Sequence, residues 1–143
     1  YVEAIHIMTR ALMAADVDVM AGTDAITSGA VPGFSLHDEL QSLVNIGLTP
    51  SQALRSATST PGKWYQSIGG TGSAPAGMVK PGHKANLLLL NKNPLKDIKN
   101  TQSIESVIIR GQLLNRSQLD TILKRILDGN NQNRNQDIRQ YMN

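Results

Sequence analysis

Apolar residues at Val2, Ile5, Met8, Leu12 and Met13 recur every three or four positions, the spacing of one helical face, and predict a helix over most of residues 1–16. The period then drops to two. In VDVMAGTD (17–24), Val17, Val19 and Ala21 fall on one side and Asp18, Met20, Gly22 and Asp24 on the other, which predicts a short strand that ends in a carboxylate. A helix feeding directly into a strand is one step of an α/β repeat.

Gly29, Pro32 and Gly33 mark residues 25–34 as a loop. In SLHDELQSLVNIG, Ser35 is placed to cap a helix whose buried stripe is Leu36, Leu40, Leu43 and Val44 and which Gly47 ends. A second helix follows with a fuller signature: Thr49 as N-cap, Pro50 at the first helical position and Gln52 three residues after the cap, the pattern of a capping box. Pro61 and Gly62 are expected to interrupt it before Trp64.

Residues 69–77 are rich in Gly, Ser and Ala, and the pattern changes beyond them. The Pro81-Gly82 turn leads into a continuous apolar run, Ala85 to Leu90, and SIESVIIRGQLLN (103–115) reads as two strands folded about Arg110-Gly111-Gln112. A last amphipathic helix is expected to open at Ser117 and Asp120 and to run to about Leu127, with the stripe Leu119, Ile122, Leu123, Ile126 and Leu127. The Asn- and Gln-rich residues past Gly129 are expected to be disordered. The predicted division is therefore 1–68, a helical part with the strand 17–24; 77–115, β strands; 116–128, a helix; and 129–143, a tail.

Composition narrows the chemistry. The 143 residues contain no cysteine, which excludes disulfide frameworks and thiolate nucleophiles or metal ligands. The net charge of +3 could suggest nucleic acid, but only 17% of residues are charged and 3% aromatic, so base-stacking platforms and a concentrated basic face are both missing. No apolar run approaches the roughly 18–20 residues that span a bilayer. Nothing in the composition decides the compartment. The chain opens on Tyr1 within a helical pattern, and a preceding segment is expected.

Asp24 is the candidate that matters most, and by itself it has two readings. A carboxylate at a strand end commonly caps the next turn, whereas at the C-terminal mouth of a parallel α/β barrel such a side chain points into the active site. His37 has two readings as well: a residue of the substrate pocket, or a partly buried histidine making a hydrogen bond near a helix end. Glu39 is accounted for by the helix dipole. His6 and His83 are read as structural or solvent-facing, and Trp64 as core packing.

Five pieces in order, GTDA at 22–25, SLHDELQSLVNIGL, TPSQALRSATSTPGKWY, MVKPGHKANLLLLNKNPLKDI and SVIIRGQLL, closely resemble the C-terminal part of the metal-dependent amidohydrolases, in the imidazolonepropionase-like and Xaa-Pro dipeptidase-like branch. The resemblance covers about residues 10–127. It implies an α/β fold: the last strand and helices of a (β/α)₈ barrel, then the C-terminal strands of a composite β-sandwich and a terminal helix. It also implies that Asp24 is a metal ligand and proton shuttle beside one or two divalent ions, usually zinc, and that the substrate is a small amide, cyclic amide or dipeptide. Asn86 stands where the family pattern has an aspartate, and a sandwich hydrogen bond is expected to change there.

The family's other ligands, an H-x-H pair, a carboxylated lysine or glutamate and two single histidines, are not among these residues. An open catalytic zinc site takes three protein ligands and a barrel about 250 residues. The resemblance therefore implies a missing N-terminal part of the barrel as partner and an inactive chain in isolation, and it leaves a homo-oligomer open. The competing reading is a non-catalytic remnant or assembly module of the same fold.

Overall fold

The computed structural model describes residues 2–25, 29–69 and 75–134. Its elements are helices α1 (Val2–Ala14), α2 (Ser35–Asn45), α3 (Pro50–Ser56) and α4 (Ser59–Ser67), strand β1 (Leu87–Leu90), a 3₁₀ helix (Ile98–Gln102), strands β2 (Ile104–Ile109) and β3 (Gln112–Leu114), and helix α5 (Arg116–Arg134).

The first two helices end as their terminal residues require. After α1, Asp16 takes a left-handed conformation (φ 56°), and the amides of Asp16 and Val17 donate to Met13 O and Leu12 O. Gly47 does the same after α2 (φ 122°), with Gly47 N and Leu48 N donating to Val44 O and Leu43 O. Both are paired-bond termini that satisfy carbonyls the helix leaves open. The start of α2 departs from expectation. Phe34 occupies the cap position without a side-chain bond, and the Ser35 hydroxyl accepts from Val31 N instead (2.7 Å). The capping box of α3 forms as its spacing predicts, with Gln52 N donating to Thr49 Oγ1 and Thr49 N to Gln52 Oε1. The interruption expected at Pro61-Gly62 falls earlier, at Ala57-Thr58. Pro61 is the third residue of α4, where a missing N–H costs no intrahelical bond.

Residues 17–24 form no strand among the described residues. A strand is a pairing, and no described segment lies alongside to supply a ladder. The segment nevertheless runs along the core: Ala21 N donates to Ser56 O (3.1 Å), and Val19 and Ala21 pack on the buried cluster of Leu40, Leu43, Ile46, Leu48, Ala53 and Ile98. That cluster joins α2, α3 and the 3₁₀ helix. Of the stripe predicted on α1, Met13 reaches it, whereas Ile5, Met8 and Leu12 are exposed. Trp64 is also half exposed and takes no part in the core.

The three strands form an antiparallel sheet in the order β1-β2-β3, with an irregularity between Leu89 and Leu90. The β2–β3 turn has two residues rather than three. Arg110 and Gly111 both adopt positive φ (53° and 80°), the mirror-image turn whose twist suits a hairpin, and Gln112 already pairs with Ile109. Asn86 fastens this turn, its Oδ1 accepting from Arg110 N at 2.8 Å.

α5 opens at Arg116, one residue earlier than expected. Asn115 and Gln118 bond reciprocally, each side-chain oxygen accepting the other's backbone N–H (3.0 and 2.9 Å). The helix then continues past Leu127 and Gly129 to Arg134, so the start of the predicted tail is helical and the remainder lies outside the described residues.

Candidate functional site

Asp24 closes the extended segment at the point where the chain turns toward α2. Its backbone is left-handed (φ 44°), a conformation that Asp tolerates better than most residues, and its side chain lies at the surface. Two residues earlier, Gly22 N donates to Glu39 Oε1 at 2.6 Å. A Cβ built on Gly22 would meet nothing within 4 Å, so close backbone approach does not account for glycine there.

Helix geometry sorts the side chains of α2. Successive residues turn by about 100°, so His37 and Glu39 lie on roughly opposite faces. Glu39 meets the GTD segment, while His37 Nδ1 lies 3.0 Å from Thr101 Oγ1 in the 3₁₀ helix. The Thr101 hydroxyl donates to Ile98 O (2.8 Å), which makes Nδ1 the donor of the His37 bond and leaves Nε2 as the acceptor nitrogen of the neutral ring. His37 also lines a groove of about 660 Å³ with Phe34, Arg116, Leu119, Ile122 and Ile126. Asp24 does not line that groove.

The helix dipole alone does not account for Glu39. The overlooked signal is its place beside the buried stripe, four residues before Leu43, where a carboxylate is half withdrawn from water. Its Oε2 is out of solvent and has no hydrogen-bond partner among the described residues.

Among the described residues no three His, Cys, Asp or Glu side chains gather where they could hold a metal ion. Asp24 offers carboxylate oxygens, a suitable donor type, but one residue falls short of the three that a catalytic zinc site takes. The described residues therefore do not form a complete metal site by themselves. No helix among them is long and apolar enough to cross a membrane.

An extended segment ending in a surface carboxylate, followed by helices and a small antiparallel sheet, is a mixed α/β arrangement with its polar focus at a segment end. Residues 5–114 match the Amidohydrolase family, and the chain belongs to that family. Among solved structures, it is similar to a Xaa-Pro dipeptidase with bound methionine in the active site (26% identity, TM-score 0.64, over 78% of this chain and 25% of that one). It is also similar to phenylurea hydrolase B (25% identity, TM-score 0.64, 76% and 26%). A molinate hydrolase shares the fold (22% identity, TM-score 0.62, 73% and 25%). The chain thus spans about a quarter of the length of these structures. No curated protein matches it in sequence.

Proposed function

We propose that these residues are the C-terminal part of a metal-dependent amidohydrolase that hydrolyses a carbon–nitrogen bond in a small amide, cyclic amide or dipeptide. Residues 17–24 would be the last strand of its (β/α)₈ barrel, with the following helices packed outside it, and β1–β3 would belong to a composite β-sandwich. The observation that carries this reading is the family match across residues 5–114 with Asp24 presented at the end of the extended segment. The phenylurea hydrolase and Xaa-Pro dipeptidase support the bond class, because a urea and a dipeptide are both cleaved between a carbonyl carbon and nitrogen.

A divalent ion, zinc in most such sites, would be held by Asp24 together with ligands from polypeptide beyond these residues, and when bound it acidifies water and polarises a carbonyl. Asp24 has two tasks in this reading. An Oδ atom accepts the proton of the attacking water as the new C–O bond forms, and the same oxygen returns that proton to the leaving nitrogen as the C–N bond breaks. An exposed side chain on a constrained backbone suits both, since it must reach a small substrate without moving far. His37 is proposed as a pocket residue only through Nε2, because Nδ1 is committed to Thr101, and the groove it lines does not include Asp24.

The test is to express the complete polypeptide carrying these residues and assay Xaa-Pro dipeptides, N-acyl amino acids, cyclic amides and aryl ureas, before and after chelation and metal reloading. Hydrolysis of one class, lost on chelation and restored by metal, is expected. No turnover in any class and no bound metal would favour the non-catalytic remnant.

A further inference from the structure

We propose that Glu39 is a positioning residue for Asp24, holding the backbone of the GTD segment so that the carboxylate stands at a fixed place; this rests on the catalytic reading of Asp24 above. Ala21 N is bonded to Ser56 O of α3 and Gly22 N to Glu39 Oε1 of α2, so two consecutive amides are held by two different helices shortly before Asp24. The Glu39 bond is short, as expected of an N–H donating to a carboxylate. It comes from a helix whose Leu40 and Leu43 are buried in the core, so the carboxylate is mounted on an element anchored in that core.

The bond is made to a main-chain N–H, and its effect on Asp24 is therefore transmitted through backbone. Two residues of chain reach about 7 Å. Release at Gly22 allows an ångström-scale shift two residues on, and Asp24 at φ 44° is in a conformation that its surroundings must maintain. Misplacing a reacting group by that distance costs rate rather than binding. The buried second oxygen of Glu39 fits the same picture: the side chain is directed inward at the segment and not spread on the surface.

The experiment compares Glu39→Ala, Glu39→Gln and Asp24→Asn in the complete polypeptide, with amide hydrogen exchange at Gly22 followed in the metal-free protein. Glutamine keeps an acceptor oxygen for Gly22 N–H, and alanine does not. Glu39→Ala is expected to lower kcat by about tenfold to a hundredfold with KM within about twofold, and to speed Gly22 exchange about tenfold or more. Glu39→Gln is expected to restore most of both. Equal damage from the two variants, or unchanged exchange and kcat in Glu39→Ala, would overturn the role of Glu39. A normal Asp24→Asn enzyme would instead remove the catalytic reading, so the two failures are told apart.

Discussion

His37 Nδ1 meets Thr101 Oγ1 at 3.0 Å across 64 residues of sequence, tying α2 to the 3₁₀ helix that leads into the sheet. Beside it Ile98, only 2% exposed, inserts into the helical core. Among the described residues, this polar contact and the buried Ile98 side chain both tie the helical part to the segment that leads into the sheet. Thr101→Val should remove the acceptor for His37 and the donor to Ile98 O, destabilising the protein by about 1–3 kcal/mol. Denaturant midpoints should show this, and the loss should be less than additive with His37→Ala, because both variants break the same bond.

Two glycines should respond with opposite signs. At Gly77 (φ 84°) a Cβ would overlap Thr58 O, so Gly77→Ala combines backbone strain with a main-chain clash and should cost at least roughly 1–3 kcal/mol. At Gly129, within α5, a Cβ would meet nothing within 4 Å, and Gly129→Ala should stabilise by up to about 1 kcal/mol. Thermal midpoints of the two variants test both signs.

The helix caps offer a further comparison. Thr49→Ala and Asn115→Ala each remove one half of a reciprocal cap and should each lower stability by about 1 kcal/mol. Ser35→Ala should have a different consequence: Ser35 bonds Val31 N in the loop rather than capping α2, so local exchange at Val31 should rise without fraying the helix.

Several features of the fold could be read directly from residue order. Thr49-Pro50-Gln52 specifies a helix start by local chemistry, and Gly47 ends α2 because a left-handed residue is needed there. The hairpin at Arg110-Gly111 and the apolar run into β1 are equally local signals. Non-local features were not legible. Whether 17–24 is a strand depends on partners, not on its own alternation. The break between α3 and α4 is set at Ala57-Thr58, where the chain must redirect against residues 75–77, and not by the proline that follows. The Asn- and Gln-rich composition after Gly129 suggests a tail because such residues bury little, yet a helix already nucleated by the Asn115 cap is extended through the first of them, to Arg134. Asp24 could be singled out as a candidate from its place in the motif, whereas the contact of Glu39 with Gly22, seventeen residues away, could not be foreseen.

Residues 1–143 expressed alone should behave as an incomplete fold. Large apolar side chains lie exposed on α1 (Ile7, Met8), the sheet (Leu88, Leu89, Leu113) and α5 (Ile126, Leu127), a distribution typical of surfaces that pack on further protein. Dye binding to exposed apolar surface and self-association in sedimentation are expected. A sharp, cooperative thermal transition of a monomer would count against this expectation.

That Asp24 carries the proton in hydrolysis by the complete polypeptide is the core of the proposed function. Its most direct test is kcat of Asp24→Asn, with metal content and thermal midpoint measured on the same preparation. A fall in kcat on the order of a hundredfold to ten-thousandfold is expected in a protein that remains folded. Turnover within about threefold of the parent, in a folded protein with unchanged metal content, would contradict it.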